Sequence, residues 1–233
     1  MKTFKHTVGW LAVLALLAGL ATTAAQEKVS GTYTIYRNGS VVASDKYEVT
    51  PGREYSDGIK ADTQKITINL KFDGGTLAGY ERQINGLPSG AIKLNKTMLS
   101  FYEGTGMVGV LSNEEQFPVF EPSAYAEYAM FSGMLYDQSK GGKQTAKVII
   151  PALQDVLLVE IERHGTDDFS LGTAKVTATH YRIAMGKKKE TVNLWMDGDR
   201  MMAAYLASGN IYIIETRYDQ LIDRVKQLVN RAM

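Results

Sequence analysis

The chain has 233 residues, with 26 Lys and Arg against 25 Asp and Glu, 45% hydrophobic residues and no cysteine. So balanced a charge offers no basic stripe for a nucleic-acid backbone, and the absence of cysteine excludes disulfides, thiolate-ligated metals and a lipidated cysteine. The fold must be held by an apolar core, for which this length is ample in one domain.

The first 25 residues read as a secretory signal peptide. Lys2 and Lys5 form a basic n-region, Val8 to Ala21 an apolar h-region, and Ala-Thr-Thr-Ala-Ala before Gln26 the small-residue cleavage site. The apolar run is shorter than the ~20 residues of a spanning helix, so it is read as a cleaved leader rather than a retained anchor, leaving no transmembrane span in the mature form. Leu17-Ala18-Gly19-Leu20 follows a lipoprotein box until its last position, where leucine stands for cysteine. The expected products are a leader, 1–25, and one β-rich domain, 26–233, exported to the periplasm or the extracellular space. Loss of Lys2 and Lys5 leaves 24 basic against 25 acidic side chains.

From Val29 onward the dominant hydrophobic period is two. Asn38-Gly39 separates strands Thr32 to Arg37 and Val41 to Val49, because both central residues of a type I′ turn need positive φ. In Lys65 to Phe72, Ile66, Ile68, Leu70 and Phe72 alternate with Lys65, Thr67, Asn69 and Lys71, giving one buried and one wet face. Asp73-Gly74-Gly75 leads into Leu77 to Ile84, Asn85-Gly86 into Ala91 to Leu94, and Asn95-Lys96 into Met98 to Glu103, an antiparallel meander.

Between Gly104 and Gly142 the pattern breaks. Gly104-Thr105-Gly106-Met107-Val108-Gly109 matches a nucleotide-loop pattern in letters only, lacks the βαβ context, and is read as a flexible connection. Phe117 to Pro122 is extended, and Ser123 is the expected N-cap of one amphipathic helix to about Asp137, with Tyr125, Tyr128, Phe131, Met134 and Leu135 at helical spacing. Strands resume over Thr145 to Ile150, Val156 to Arg163, Ala174 to Met185, Glu190 to Met196, Arg200 to Ala207 and Ile211 to Thr216. Lys187-Lys188-Lys189 falls in a solvated hairpin turn. Val156 to Ile161 and Ile211 to Ile214 are apolar at consecutive positions, so a second face needs cover, which the central helix is expected to supply. Tyr218 to Ala232 is a second amphipathic helix, with Leu221, Ile222, Val225, Leu228 and Val229 on one stripe. The fold class expected is mainly β: one long curved antiparallel sheet, a half-barrel or β-roll, with a central helix packed on it and a C-terminal amphipathic helix.

Chemistry-bearing motifs are scarce. His164 and His180 lack metal-ligand spacing, Gly-x-Ser-x-Gly is absent, and Asp197-Gly198-Asp199 runs straight into a strand rather than a calcium loop. Arg163 to Asp168 is read as an exposed turn, and no cofactor is expected. Thirteen tyrosines and ten methionines give material for an apolar groove between helix and sheet, since tyrosine has a polar tip and methionine adapts to irregular shapes. Its candidate lining is Tyr125, Tyr128, Met130, Met134, Met196, Met202 and Tyr205, and the competing reading of these residues is plain core.

Gly31 to Gly39 with its alternating partner strand, the Leu77-to-Ile84 strand ending in Asn-Gly, Val148-Ile149-Ile150-Pro151, and Asn193 to Asp199 together resemble a family of uncharacterised exported bacterial β-domains. Such domains occur alone or as N-terminal accessories to secreted peptidases and other α/β hydrolases. The resemblance implies one curved sheet similar to that of periplasmic lipoprotein-carrier folds, no catalytic residues to carry over, and a missing hydrolase half. The function expected is non-catalytic binding of an apolar ligand, a lipid, acyl chain or polypeptide, on the concave face. The alternatives are a hydrolase-like enzyme assembled from distant residues, with Glu160, Glu162, His164, Asp167 or His180 converging, or an assembly subunit using the C-terminal helix.

Overall fold

A computed structural model of the protein describes residues 29–50, 54–61, 64–73, 76–187 and 190–232. The expected leader and Lys188-Lys189 lie outside these residues. Strands β1 (Val29–Arg37), β2 (Ser40–Thr50), β3 (Glu54–Ala61), β4 (Gln64–Asp73), β5 (Thr76–Ile84), β6 (Leu87–Asn95), β7 (Met98–Glu103) and β8 (Gly106–Ser112) form a first meander. A second comprises β9 (Lys143–Ile150), β10 (Asp155–Leu171), β11 (Ala174–Met185), β12 (Glu190–Asp197), β13 (Arg200–Leu206) and β14 (Ile211–Glu215). The two join where β1 pairs antiparallel with β14, from Tyr33 opposite Glu215 to Arg37 opposite Ile211. The result is one 14-stranded sheet with β8 at one edge and β9 at the other.

The Asn-Gly turns behave as their chemistry demands: φ is 51° and 85° at Asn38 and Gly39, and 53° and 82° at Asn85 and Gly86. Two readings of the segments around the strands are corrected. Gly106 to Ser112 is strand β8, paired along β7, rather than a flexible connection. Arg163 to Asp168 is no turn, because β10 runs on to Leu171 through a bulge at Arg163/Gly165 that keeps it paired with β11.

The sheet is rolled, and three apolar clusters show how. On the concave side of β1, β2 and β10–β14, Tyr33, Ile35, Val159, Ile161, Tyr181, Ile183, Val192, Leu194 and Ile213 bury against the chain's own segment Phe120 to Tyr136. On the convex side, Phe169, Ala178, Trp195, Met202, Tyr205, Tyr212 and Ile214 lie under Tyr218, Leu221, Val225, Leu228 and Val229. The third cluster joins Ile68, Leu70, Tyr80, Ile92, Leu99 and Phe101 of β4–β7 to Val119, Ala124 and Ile149. Edge strand β9 is therefore buried on both faces: Val148 and Ile150 point into the first cluster and Ile149 into the third. Strands β4–β7 wrap over the tucked-in edge as an outer layer.

The central element differs from one amphipathic helix. It is a 3-10 turn, Tyr125–Ala129, running into a single α turn, α1 (Met130–Gly133). It lies between two cores, with Ala124 in one and Ala126, Tyr128, Met130 and Phe131 in the other, so no polar face is kept for solvent and no long helix is stabilised by one. Ser123 does not cap it; its amide and hydroxyl go to Glu121 instead. The C-terminal element is a 3-10 turn, Thr216–Leu221, followed by α2 (Ile222–Ala232). This element, rather than the central one, covers the second face of Ile211 to Ile214. Over Val156 to Ile161 the second face is only partly covered, Leu158 being 54% exposed. Among the described residues no helix is long and apolar enough to cross a membrane.

Candidate functional site

The roll does not close, and the seam between its outer wrap and its tucked-in edge holds a cleft of about 210 Å³. One wall is the inner face of β5–β8, with Tyr80, Arg82, Gly90, Phe101 and Val108; the other is Glu121 with the turn Pro151, Ala152 and Gln154 that follows β9. The lining is mixed: Phe101, Val108, Pro151 and Ala152 are apolar, while Arg82, Ser89, Glu103, Glu121 and Gln154 are polar or charged, and the buried Arg82 Nε has no hydrogen-bond partner among the described residues.

Behind the cleft a buried carboxyl pair ties the two layers together. The Tyr80 hydroxyl donates to Glu121 Oε2 at 2.7 Å, crossing from the wrap to the central segment. Ser123 donates to Oε1 through its amide, at 3.2 Å, and through its hydroxyl. The Glu121 amide in turn donates to Glu127 Oε2 at 2.8 Å, while Glu127 Oε1 is buried without a partner. Burial pushes the Glu127 carboxyl well above the usual range, and the Glu121 charge adds to that, against the opposing amide of Glu121. Burial first, and the Glu121 charge second, also raise the Tyr80 phenol. Burial thus favours the protonated form of Glu127, next to Glu121, whose two oxygens accept from Tyr80 and Ser123.

The seven residues read from the sequence as a groove do not share one surface. Tyr128, Met130 and Met196 are buried in the concave core, with Tyr125 packed at its margin. Met202 and Tyr205 are buried on the opposite face, under the C-terminal helix, and Met134 is 37% exposed. The concave face is filled by the protein's own aromatic side chains: Phe120 meets Tyr128 and Phe131 edge-on, with centroids 5.0 and 4.8 Å apart. Arg82, Glu121 and Glu127 escaped the sequence reading. The available signal was a single acid set in an apolar run, Phe-Glu-Pro at Glu121 and Tyr-Ala-Glu-Tyr at Glu127, because an unpaired charge there must find buried partners.

Several acid and base candidates do meet, on the convex face. Asp167 Oδ2 accepts the Trp195 indole N–H at 2.8 Å and stands 3.5 Å from His180 Nδ1, while His180 Nε2 lies 3.1 Å from Asn193 Oδ1. The His180 ring stacks on Trp195 at 4.7 Å, and the His164 ring is 5.5 Å away beside Glu162. Burial pulls His180 below the ordinary histidine value, against Asn193 and Asp167. Where a hydrolase triad places a nucleophilic hydroxyl beyond the imidazole, Asn193 stands. Asp167, His180 and Asn193 form a hydrogen-bonded cluster against Trp195. Glu160 belongs to a separate surface patch, paired with Lys143 at 3.1 Å. Among the described residues no three His or carboxylate side chains are grouped to hold a metal ion.

No protein-family model matches the chain, and no curated protein matches it. Among solved structures it is similar to a beta-barrel-like protein of a domain of unknown function, DUF1849, from Brucella abortus. The two share 10% sequence identity with a TM-score of 0.48, over 80% of this chain and 93% of that one.

Proposed function

We propose that this is an exported, non-catalytic envelope protein that binds an extended polypeptide along the seam of its rolled sheet. The observation that carries the reading is the state of the two sheet edges. The β9 edge is sealed by the chain itself, through a parallel bridge in which the Ile149 amide donates to Pro118 O at 2.8 Å and the Phe120 amide to Ile149 O at 2.9 Å. No described strand pairs with the outer edge of β8. Strand β8 carries no charge, lysine or proline, and Met107, Val108 and Val110 are 61%, 44% and 52% exposed. A bare, apolar edge is a template for another strand. Only a polypeptide backbone can complete its ladder of amides and carbonyls, whereas a lipid cannot, and neighbouring pockets then select side chains. The seam cleft, with Val108 in its wall, is such a pocket.

The test is fluorescence anisotropy with a labelled alternating Val-Thr heptapeptide, matched to the seven residues of β8, against the same peptide interrupted by proline. Saturable binding of the first, its loss with proline, and weakening by at least ~10-fold in Val110→Lys, which puts a charge on the edge, support the reading. No saturation up to about 1 mM, or equal binding by Val110→Lys, overturns it. Native mass spectrometry of the protein purified from its own envelope adds a second check, since a co-purifying lipid in place of a peptide would count against strand addition.

A further inference from the structure

We propose that the seam cleft is a pocket for a carboxylate carried on a short apolar group, with Arg82 as the recognising residue. The inference deepens the reading of the seam as a binding site and rests on it, but it concerns the cleft and not the strand edge.

Volume comes first. At about 210 Å³ the cleft has room for roughly seven waters' share of liquid volume and falls below the ~300 Å³ at which drug-sized pockets begin. A short hydrocarbon group fits within it. Phe101, Val108, Pro151 and Ala152 give that group an apolar wall.

Charge decides the other end of the ligand. Two acids line the cleft, Glu121 and Glu103. Glu121 already receives Tyr80 through one oxygen and Ser123 through the other, so both its oxygens hold donors from the protein. Glu103 ends β7 on the exposed rim. Arg82 is the cation among the described lining residues, and its Nε finds no acceptor among the described residues. A guanidinium has five N–H donors in a planar fork that matches a carboxylate with two parallel hydrogen bonds. Leaving part of such a group buried and unsatisfied is costly, and an incoming carboxylate relieves that cost more strongly than a neutral carbonyl, because its hydrogen bonds are charge-assisted, whereas a cation offers no acceptor. In a bound polypeptide the matching groups are an acidic side chain or the C-terminal carboxylate; a free short-chain acid presents the same chemistry.

Saturation-transfer NMR with hexanoate, and with hexanamide as its neutral isostere, tests the proposal without any peptide. Hexanoate is expected to bind at least ~10-fold more tightly than hexanamide, the scale of a hydrogen bond to a charged group. Arg82→Gln should erase the difference, and Arg82→Lys should restore part of it. Because Arg82 is partly buried, Ala152→Phe serves as a second variant: Ala152 is exposed, and the larger ring fills the cleft while leaving Arg82 intact, so hexanoate binding should be lost with an unchanged melting curve. Equal binding of the two probes, hexanoate binding that survives both variants, or no transfer to either probe at about 10 mM overturns the carboxylate pocket. None of these results depends on the Val-Thr peptide, so a failure of strand addition at β8 registers separately.

Discussion

Glu127→Gln should make the stability of this protein less dependent on pH, in a direction fixed by the burial of Glu127. In the unfolded chain a glutamate titrates near 4.3; in the fold Glu127 is held well above that, chiefly by burial. Below about pH 4 both states carry the proton and the group has no effect on folding. Above it the unfolded chain releases the proton while the native protein keeps it, so the native state binds more protons. Stability then falls as pH rises, by roughly 1–2 kcal/mol per unit, until the folded value is passed. Glutamine keeps an oxygen for the Glu121 amide, which now reaches Glu127 Oε2 at 2.8 Å, and places an N–H where the neutral acid carries its O–H, so the swap removes the titration with little change of shape. A fixed offset from imperfect hydrogen bonding is allowed for and does not matter, because the quantity read is the slope. Melting curves of both proteins from pH 5 to 8 should diverge in favour of the variant, by a few degrees per unit for a domain of this size. Parallel curves across that range would mean that Glu127 is already ionised in the native state, and the argument from burial would be refuted.

Tyr80→Phe removes the hydroxyl that crosses from the wrap to Glu121 and should cost about 1–3 kcal/mol, read as a lower urea midpoint at unchanged m-value. Gly31→Ala should destabilise by roughly 1–3 kcal/mol, because a Cβ there would lie 2.6–2.8 Å from the hydroxyl and ring edge of Tyr47, itself stacked on Tyr33. Gly109→Ala should cost less in the same denaturation assay, since the nearest obstacle is the movable end of the Gln154 side chain. Burial keeps His180 below its ordinary value while the Asp167 charge opposes that shift, so Asp167→Asn should lower the His180 pKa further in an NMR titration; a rise would reverse the assignment. The same His180 shift makes the native protein lose stability as pH drops below about 6.5, where the unfolded histidine gains a proton that the folded one resists.

Much of the sheet was legible because its determinants are local. Period-two alternation and Asn-Gly turns belong to neighbouring residues, and they placed β1, β2, β4, β5 and the strands of the terminal meander. The tail helix was equally plain, since Leu221, Val225, Leu228 and Val229 repeat at helical spacing and are all buried. The failures share a cause in long-range packing. β8 was missed because its glycines imitate a loop, and its strand state comes from pairing with β7. The central segment carries helical spacing yet forms barely one turn of α-helix, because burial on both sides removes the contrast that makes an amphipathic helix. For the same reason a tyrosine and methionine stripe told nothing about a groove: Met196 and Met202 lie on opposite faces of the sheet. The carboxyl pair and Arg82 come together only when β5 wraps over Glu121, an event no local pattern encodes.

The two edges of the sheet make the strongest case that the seam is a site and not an accident of an unclosed barrel. An open sheet of 14 strands has two edges to protect, and charge, lysine, proline or a covering segment are the usual means. The β9 edge uses several at once: Lys143 and Lys147 stand on the strand, Lys147 lies over the Phe117 ring at 4.8 Å and 3.7 Å from Glu115, and the Pro118-to-Phe120 segment bridges to Ile149. On β8, from Gly106 to Ser112, none of these side chains occurs. A chain that guards one edge so fully has the means to guard the other, and a single lysine at Val110 would supply it at little cost to folding, because that side chain is already half in solvent. That the unguarded strand also forms the wall of the cavity holding Arg82 joins two independent departures from a well-sealed fold at one place. Strand addition would explain the bare edge, and Val110→Lys is the substitution that separates a kept edge from a neglected one: it should weaken peptide binding by at least ~10-fold while leaving the melting temperature unchanged.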